Sequence, residues 1–488
     1  MKRAARFVAA AAIVTFAGCA LKSPPPPDDT RRQALPNTTV PPQWTGAPLP
    51  AGAAADGWLA SFADPTLDLL VSEALQYNAD LRIAAARVAQ AEGYLRAAGA
   101  SMWPTVDLLA RGGGKLGGDS SGLQGVLISA SWELDVWGRV RYGEAAAGAQ
   151  RAATESDYYY ARGAIAALVA KSWFLASEAR QQRTLARAAV SDSEHFLGLS
   201  QERERVGRGD AYDVAQAGAS VEVLRDASRQ AELAYTQSLR ALEALLGRYP
   251  AAALEAPPGF AALPPPVPAG LPSELLERRP DVVAAERRVA ASFNLVEQAK
   301  VAQLPRIALT GGASSITSEL FVLKSHDNPV FSLGGNLVAP LYQGGALRAN
   351  VDVRTAEQAL ALADYARVAQ RAFGEVESAL ASEAAARDRE PILSRAAAEN
   401  MRAVEMSGVR YRVGSGDLRG VLQQQLALYG AQSALLRVAG EQRVQRVNLY
   451  LALGGDFGAM RVPPPVLPVD YSPFRAAAPP PADGTAAK

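Results

Sequence analysis

Few residues in this chain of 488 could carry chemistry. Its two histidines, His195 and His326, lie far apart, and neither has a set of acidic or thiol neighbours at metal-ligand spacing. His195, close to Asp192 and Glu194, reads as the surface of a helix. No GxSxG elbow or HExxH phrase appears. The stretch GGGKLGG at 112–118 lacks phosphate-loop spacing, and no Ser or Thr follows Lys115, so it reads as a turn at a strand end. Arg208-Gly209-Asp210 spells an adhesion tripeptide. It is half of a hexamer, however, RVGRGD at 205–210, which returns as RVGSGD at 412–417. The expectation is a chain that is not an enzyme and that needs no cofactor or metal.

The single cysteine, Cys19, offers acylation instead. It closes MKRAARFVAAAAIVTFAGCA, in which Lys2, Arg3 and Arg6 precede an apolar run over 7–17. The run is too short to span a bilayer, so residues 1–18 are predicted to be an export signal. Phe16-Ala17-Gly18-Cys19 resembles the box at which bacterial lipoproteins are cleaved and lipidated, with Phe16 where leucine is usual. The plain alternative is a signal peptide that ends beside a chance cysteine. If Cys19 is lipidated, Ala20 rather than aspartate follows the anchor, which points to the outer membrane. No other thiol remains for a disulfide, a nucleophile or a thiolate metal site.

Lys and Arg total 50 against 49 Asp and Glu, so nothing marks a nucleic-acid partner. Apolar residues reach 49% while aromatics are only 7%, and alanine is abundant, which favours helices packed closely through small side chains. The repeated hexamer belongs to a longer duplication. Residues 78–91 and 103–113 return at 279–292 and 304–312 with an offset of 201, and 241–247 return at 448–454 with an offset of 207. The change of offset places extra residues in a loop at 315–328. The predicted layout is a signal at 1–18, a Pro-rich arm at 19–60, a first repeat at 61–256, a Pro-rich linker at 257–272, a second repeat at 273–456 and a Pro/Ala-rich tail at 457–488.

Each repeat predicts a helix, two strands, a very long helix and a last helix. The first helix opens at Pro65, runs to about Ala100 and is ended by Trp103-Pro104. The period then falls from that of a helix to that of a strand. Strands are predicted at about 104–112 and 126–137, and again at about 306–312 and 329–341. Val126, Ile128, Ala130, Trp132, Leu134 and Val136 share one face, and Leu127, Ser129, Ser131, Glu133, Asp135 and Trp137 the other. The long helices cover 139–206 and 346–413, each on the order of 100 Å at helical rise, with a kink or break expected at Pro391. The last helices cover about 210–246 and 417–453. Gly207, Gly209, Gly414 and Gly416 are expected to take positive φ and end the long helices, and Asp210 and Asp417 to cap the next ones. The two shorter helices, end to end, match the long one. The strands therefore lie at one end of a rod and the Gly-Asp turns at the other. Trp103, Trp132 and Trp137 suit a membrane interface, or packing at the strand–helix junction.

Four strands cannot close a barrel, and an open sheet edge is not tolerated in lipid, so closure must come from partner chains. Three copies supply twelve strands, an even number suited to a membrane barrel. The helices would continue it as a hollow tube, with Ser129, Ser131, Glu133, Asp135 and Asn336 facing water.

Several phrases carry a specific likeness: WLASFADPTL at 58–67, ALQYNADL at 74–81, WELDVWGRVR at 132–141, RPDVVAAE at 279–286, LYQGG at 341–345 and RYRVGSGDLRGVLQ at 410–423. Over about 56–456 the chain resembles the outer-membrane factor (TolC-like) family, and most closely its OprM/NodT-type efflux lipoproteins. The resemblance implies a mixed fold with internal duplication: a trimeric 12-stranded outer-membrane β-barrel, four strands per chain, continued by a long periplasmic α-helical coiled-coil barrel. It implies a homotrimeric exit duct of a tripartite efflux system. That duct conducts drugs, toxic organics or metal ions passively from a periplasmic adaptor (membrane fusion) protein and an inner-membrane transporter of the resistance-nodulation-division type. Outer-membrane lipid surrounds it. An iris-like periplasmic gate controls it, and Arg208, Asp210, Arg412, Asp417, Arg419 and Gln423 are the candidates for the tip or gate. In the stretch 422–426, Gln423 stands where the family often has aspartate and Leu426 where it often has arginine, a departure that puts the usual charged gate in question. A channel for type I protein secretion, and a periplasmic coiled-coil lipoprotein that forms no channel, are the alternatives.

Overall fold

The computed structural model describes residues 21–47, 57–111, 124–266, 268, 270–317, 330–455 and 463–465. Cys19 and the signal, the glycine-rich stretch 112–118, His326 and nearly all of the tail lie outside the described residues.

The arm forms one short helix, α1 (Pro27–Ala34), and a 3-10 turn at Trp58–Phe62. The expected first helix is two helices, α2 (Pro65–Tyr77) and α3 (Ala79–Ala100). Asn78 separates them with extended backbone and caps α3, its side chain accepting from the Asp80 and Leu81 amides. The same side chain donates to the Leu245 carbonyl at 2.9 Å. The break is thus made by a residue shared with another helix end. Strands β1 (Thr105–Arg111) and β2 (Gln124–Leu134) lead into α4 (Arg139–Arg205), which returns as α5 (Ala211–Leu245).

The second repeat has a short turn, α6 (Leu275–Arg278), then α7 (Pro280–Val301), β3 (Arg306–Thr317), β4 (Val330–Val338), α8 (Ala346–Arg412) and α9 (Leu418–Ala452). Both long helices have 67 residues, about 100 Å at 1.5 Å per residue. Pro391 does not break α8, which runs through it without interruption. Residues 387–392 are all exposed, so water has access to the turn in which proline deprives a backbone carbonyl of its partner.

Each long helix packs against two shorter ones in succession: α4 against α3 and α5, α8 against α7 and α9. The two repeats meet where α4 touches α7 and α9. The upper rod is sealed by Arg279, only 1% exposed. It holds Asp281 at 2.8–3.0 Å and Glu375 at 2.7 Å, and donates to the Ala452 carbonyl at the end of α9. Burial disfavours its charge, but the two carboxylates outweigh burial and raise its pKa. Glu243, 2% exposed, is pushed up by burial. Three backbone amides, of Ala252, Ala253 and Leu254, overcome that and leave its pKa lowered.

The Pro-rich linker is not a free tether. Arg443 donates to the Ala261 carbonyl and stacks on Phe260, and Arg446, 2% exposed, reaches the Pro265 carbonyl while paired with Glu383. The arm is likewise fastened, by Thr45 and Gly46 amides donating to Glu377 and by Lys22 N–H donating to Tyr142.

The strands form one antiparallel sheet in the order β1-β2-β3-β4, so β2 and β3 join the two repeats and β1 and β4 remain as edges. The register puts Leu108, Ile128, Ala313 and Phe331 in one cross-strand row, and Asp107, Ser129, Gly312 and Ser332 in another on the opposite face. Val106, Leu108, Phe331 and Leu333 are 68–90% exposed, an apolar face with nothing over it. β3 extends five residues past its expected end, and β2 stops at Leu134. Two residues expected to face water are also bound to the start of α4. Glu133 holds Arg139 with two hydrogen bonds, and Asp135 accepts from the Val140 and Arg141 amides, capping α4. Trp132 and Trp137 donate to the Met102 and Pro305 carbonyls, locking the strands to the helix ends of both repeats. Among the described residues no helix is long and apolar enough to cross a membrane.

Candidate functional site at the hairpin tips

The repeated hexamer lies at the far end of the rod from the sheet. Each copy is a complete stop-and-restart signal. In the first, Gly207 takes φ 71°, its amide donates to the Glu204 carbonyl, and the Arg208 amide donates to the Arg203 carbonyl. In the second, Gly414 takes φ 82°, with Gly414 donating to Tyr411 and Ser415 to Arg410. This paired bonding satisfies carbonyls that a helix end would otherwise leave orphaned. Gly209 and Gly416 do not adopt positive φ, against expectation. They are needed for closeness: a Cβ there would sit 3.1 Å from Arg203 Cβ and 3.0 Å from Arg410 Cβ. Asp210 accepts from the Asp213 amide at 2.9 Å, and Asp417 from the Gly420 amide at 2.7 Å, each capping the return helix.

The two hairpins are clasped to each other. Tyr411, on α8, is 1% exposed and lies under the Arg203 guanidinium of α4, 4.4 Å from the ring centroid. Arg203 also donates to the Tyr411 carbonyl, and to the Arg208 carbonyl at 3.1 Å. The Tyr411 hydroxyl meets Ser200 at 3.2 Å. A second tie is exposed: Arg419 donates to the Tyr212 hydroxyl at 3.1 Å. Beneath them a small core of Ala217, Tyr411, Leu418, Val421 and Leu422 packs against Phe196, Leu197 and Leu199. It is separate from the main core higher in the rod. The Asp213 carboxyl is pushed up by burial and then by Asp210 and Asp417, with Arg203 opposing.

Of the sequence candidates, Asp210 and Asp417 are helix caps, and Arg419 is in the exposed tie. Arg208, Arg412 and Gln423 are exposed around the turns, and Leu426 is 48% exposed. Arg203, Ser200, Tyr411 and Tyr212 were missed. One signal could have found Tyr212: it occupies the position equivalent to the candidate Arg419, offset by 207. Among the described residues no cluster could hold a metal ion.

The profile of the family described as outer membrane efflux protein matches residues 70–248 and 271–455, which together span most of the chain. The chain belongs to the outer membrane efflux protein family. It is similar to the pyoverdine export outer membrane protein OpmQ of Pseudomonas aeruginosa, 32% identical over 86% of this chain and 92% of that protein. It is also similar to the cation efflux system protein CusC of Escherichia coli O6:H1, 29% identical over 82% of this chain and 88% of that one. Among solved structures, the outer-membrane channel OprN superposes with a TM-score of 0.79 at 25% identity, covering 86% of this chain and 97% of that one. As an outer membrane efflux protein it is located in the outer membrane and belongs to a family of channels. The sheet is then its membrane end and the hairpin tips its periplasmic end.

Proposed function

We propose that three copies of this chain close their sheets edge to edge into one barrel, and that the hairpin tips form its gate. The observation that carries this reading is geometric. One protomer leaves both β1 and β4 as open edges beneath an exposed apolar face, an arrangement that lipid tolerates only once the edges are paired. The strands of three protomers make an even-numbered barrel, and the rods hang from it as a tube. Conduction is passive, and the exit duct serves a periplasmic adaptor and an inner-membrane pump of the resistance-nodulation-division type. The names of OpmQ and CusC pair one scaffold with pyoverdine and with cations, which supports a wide duct that discriminates little among drugs, toxic organics and metal ions. Cys19 anchors each chain to the membrane, and the turns carrying Arg208, Asp210, Arg412 and Asp417 face the adaptor.

Gating in this reading is the making and breaking of the two ties between hairpins, with Arg203 and Arg419 as the movable groups and Gln423 lining the constriction. Planar-bilayer recording of the purified trimer tests it. Small, mostly closed conductance is expected, rising when the two ties are removed together by Arg203→Ala and Tyr212→Phe. A purified trimer that forms no pores overturns the duct, and pores indifferent to the double variant overturn the gate.

A further inference from the structure

The core of the rod is discontinuous. On α4 the main core ends near Ala179 and the tip core begins at Phe196; on α9 the gap lies between Leu422 and Val444. In that gap is a cavity of about 420 Å³, walled by α4, α5, α8 and α9. This is within the size range of small-molecule sites. Leu185, Leu224 and Leu428 supply apolar wall, and Phe196, Tyr429 and Met401 supply polarisable surface. Gln432 and the Tyr429 hydroxyl give it groups that donate as well as accept. Gln425 lines it, and its side-chain Oε1 is buried with no hydrogen-bond partner among the described residues. Asp192 lines its exposed side and makes no ion pair among the described residues. No lysine or arginine lines it, and His195 completes the mouth.

We propose that this cavity is a binding site for a hydrophobic amine, a ligand with an apolar body and one protonated nitrogen. The body fills the space between the leucines. The cation faces the Asp192 carboxylate and an aromatic ring, which attracts positive charge through its face. An N–H of the ligand satisfies Gln425 Oε1, whose isolation in a buried place is otherwise unfavourable. Because the walls come from both repeats, a bound amine bridges the two hairpins above the tip clasp. The inference stands apart from the gate, since it concerns binding and needs no tie to open.

The probe is dansylcadaverine, a fluorescent primary amine, titrated into the detergent-solubilised full chain, with dansyl pentylamide as the uncharged control. Wild type is expected to give saturable, blue-shifted emission with one site per chain. Asp192→Asn is expected to weaken the amine roughly 3- to 5-fold, as one exposed ion pair allows, and to leave the uncharged control unchanged. Leu428→Trp and Ala189→Leu fill the space from opposite walls and are expected to remove saturable binding while helical circular dichroism stays native. No saturable binding by wild type would show that the cavity holds water only. Equal affinity for the uncharged control, or binding unchanged in both filled variants, would place the probe elsewhere and overturn the site.

Discussion

Arg203→Ala removes the strongest of the ties between hairpins, and its effect can be worked from the contacts. The guanidinium stacks on Tyr411 at 4.4 Å and donates to the Tyr411 carbonyl across the hairpin boundary. Its bond to the Arg208 carbonyl stays inside its own hairpin and does not count toward the tie. A partly buried cation–π contact contributes about 1 kcal/mol, and a hydrogen bond from a charged donor about 1.5 kcal/mol. The loss is thus about 2.5 kcal/mol per protomer, a shift of roughly 70-fold in the equilibrium between clasped and unclasped tips. Single-channel recording on planar bilayers reads this as open probability. Passage of a bulky antibiotic into cells carrying the variant reads it in vivo. Tyr411→Phe keeps the ring and loses the hydroxyl's contacts with Ser200 and Asp213, so it should shift the same equilibrium by about 1–2 kcal/mol, less than Arg203→Ala. An open probability for Arg203→Ala equal to that of wild type, in a trimer of normal melting temperature, would refute the clasp. So would a larger effect from Tyr411→Phe than from Arg203→Ala.

Glu243→Gln should lower stability by about 1–3 kcal/mol, because one amide oxygen replaces two carboxylate oxygens before three backbone amides. The Glu243 pKa is lowered on folding, so its contribution is present above the ordinary glutamate value and is lost as pH falls through the lowered one. The gap between wild-type and variant melting curves should therefore be full at pH 7 and shrink below about pH 4. Gly414→Ala should cost about 1–2 kcal/mol, since φ 82° is left-handed. Gly218→Ala, in the middle of α5 with nothing within 4 Å of the added Cβ, should instead raise the melting temperature, by the about 0.5–1 kcal/mol that alanine gains over glycine in a helix.

The duplication, the change from strand to helical period and the glycine-aspartate turns were legible because each is local. A positive-φ glycine, a capping aspartate or an alternating strand is decided by a few neighbours in the chain. Asn78 shows where locality runs out. Its residue type permits a cap, but its bond to Leu245, 167 positions away, decides that the helix breaks there. Pro391 shows the reverse case, a strong local breaker overridden in a helix whose exposed side can hydrate the freed carbonyl. Glu133 and Asp135 alternate correctly as polar strand residues, yet the start of α4 claims both.

The sequence by itself determined the order of strands and long helices in each repeat, the four-strand count and the place of the tips, since these follow from periodicity and from residues that punctuate a backbone. Only the tertiary structure decided which side chains meet at those tips. Tyr411 and Arg203 stand 208 positions apart, and neither residue type announces the other. They meet because two rods of equal length, both begun at one sheet, must end side by side.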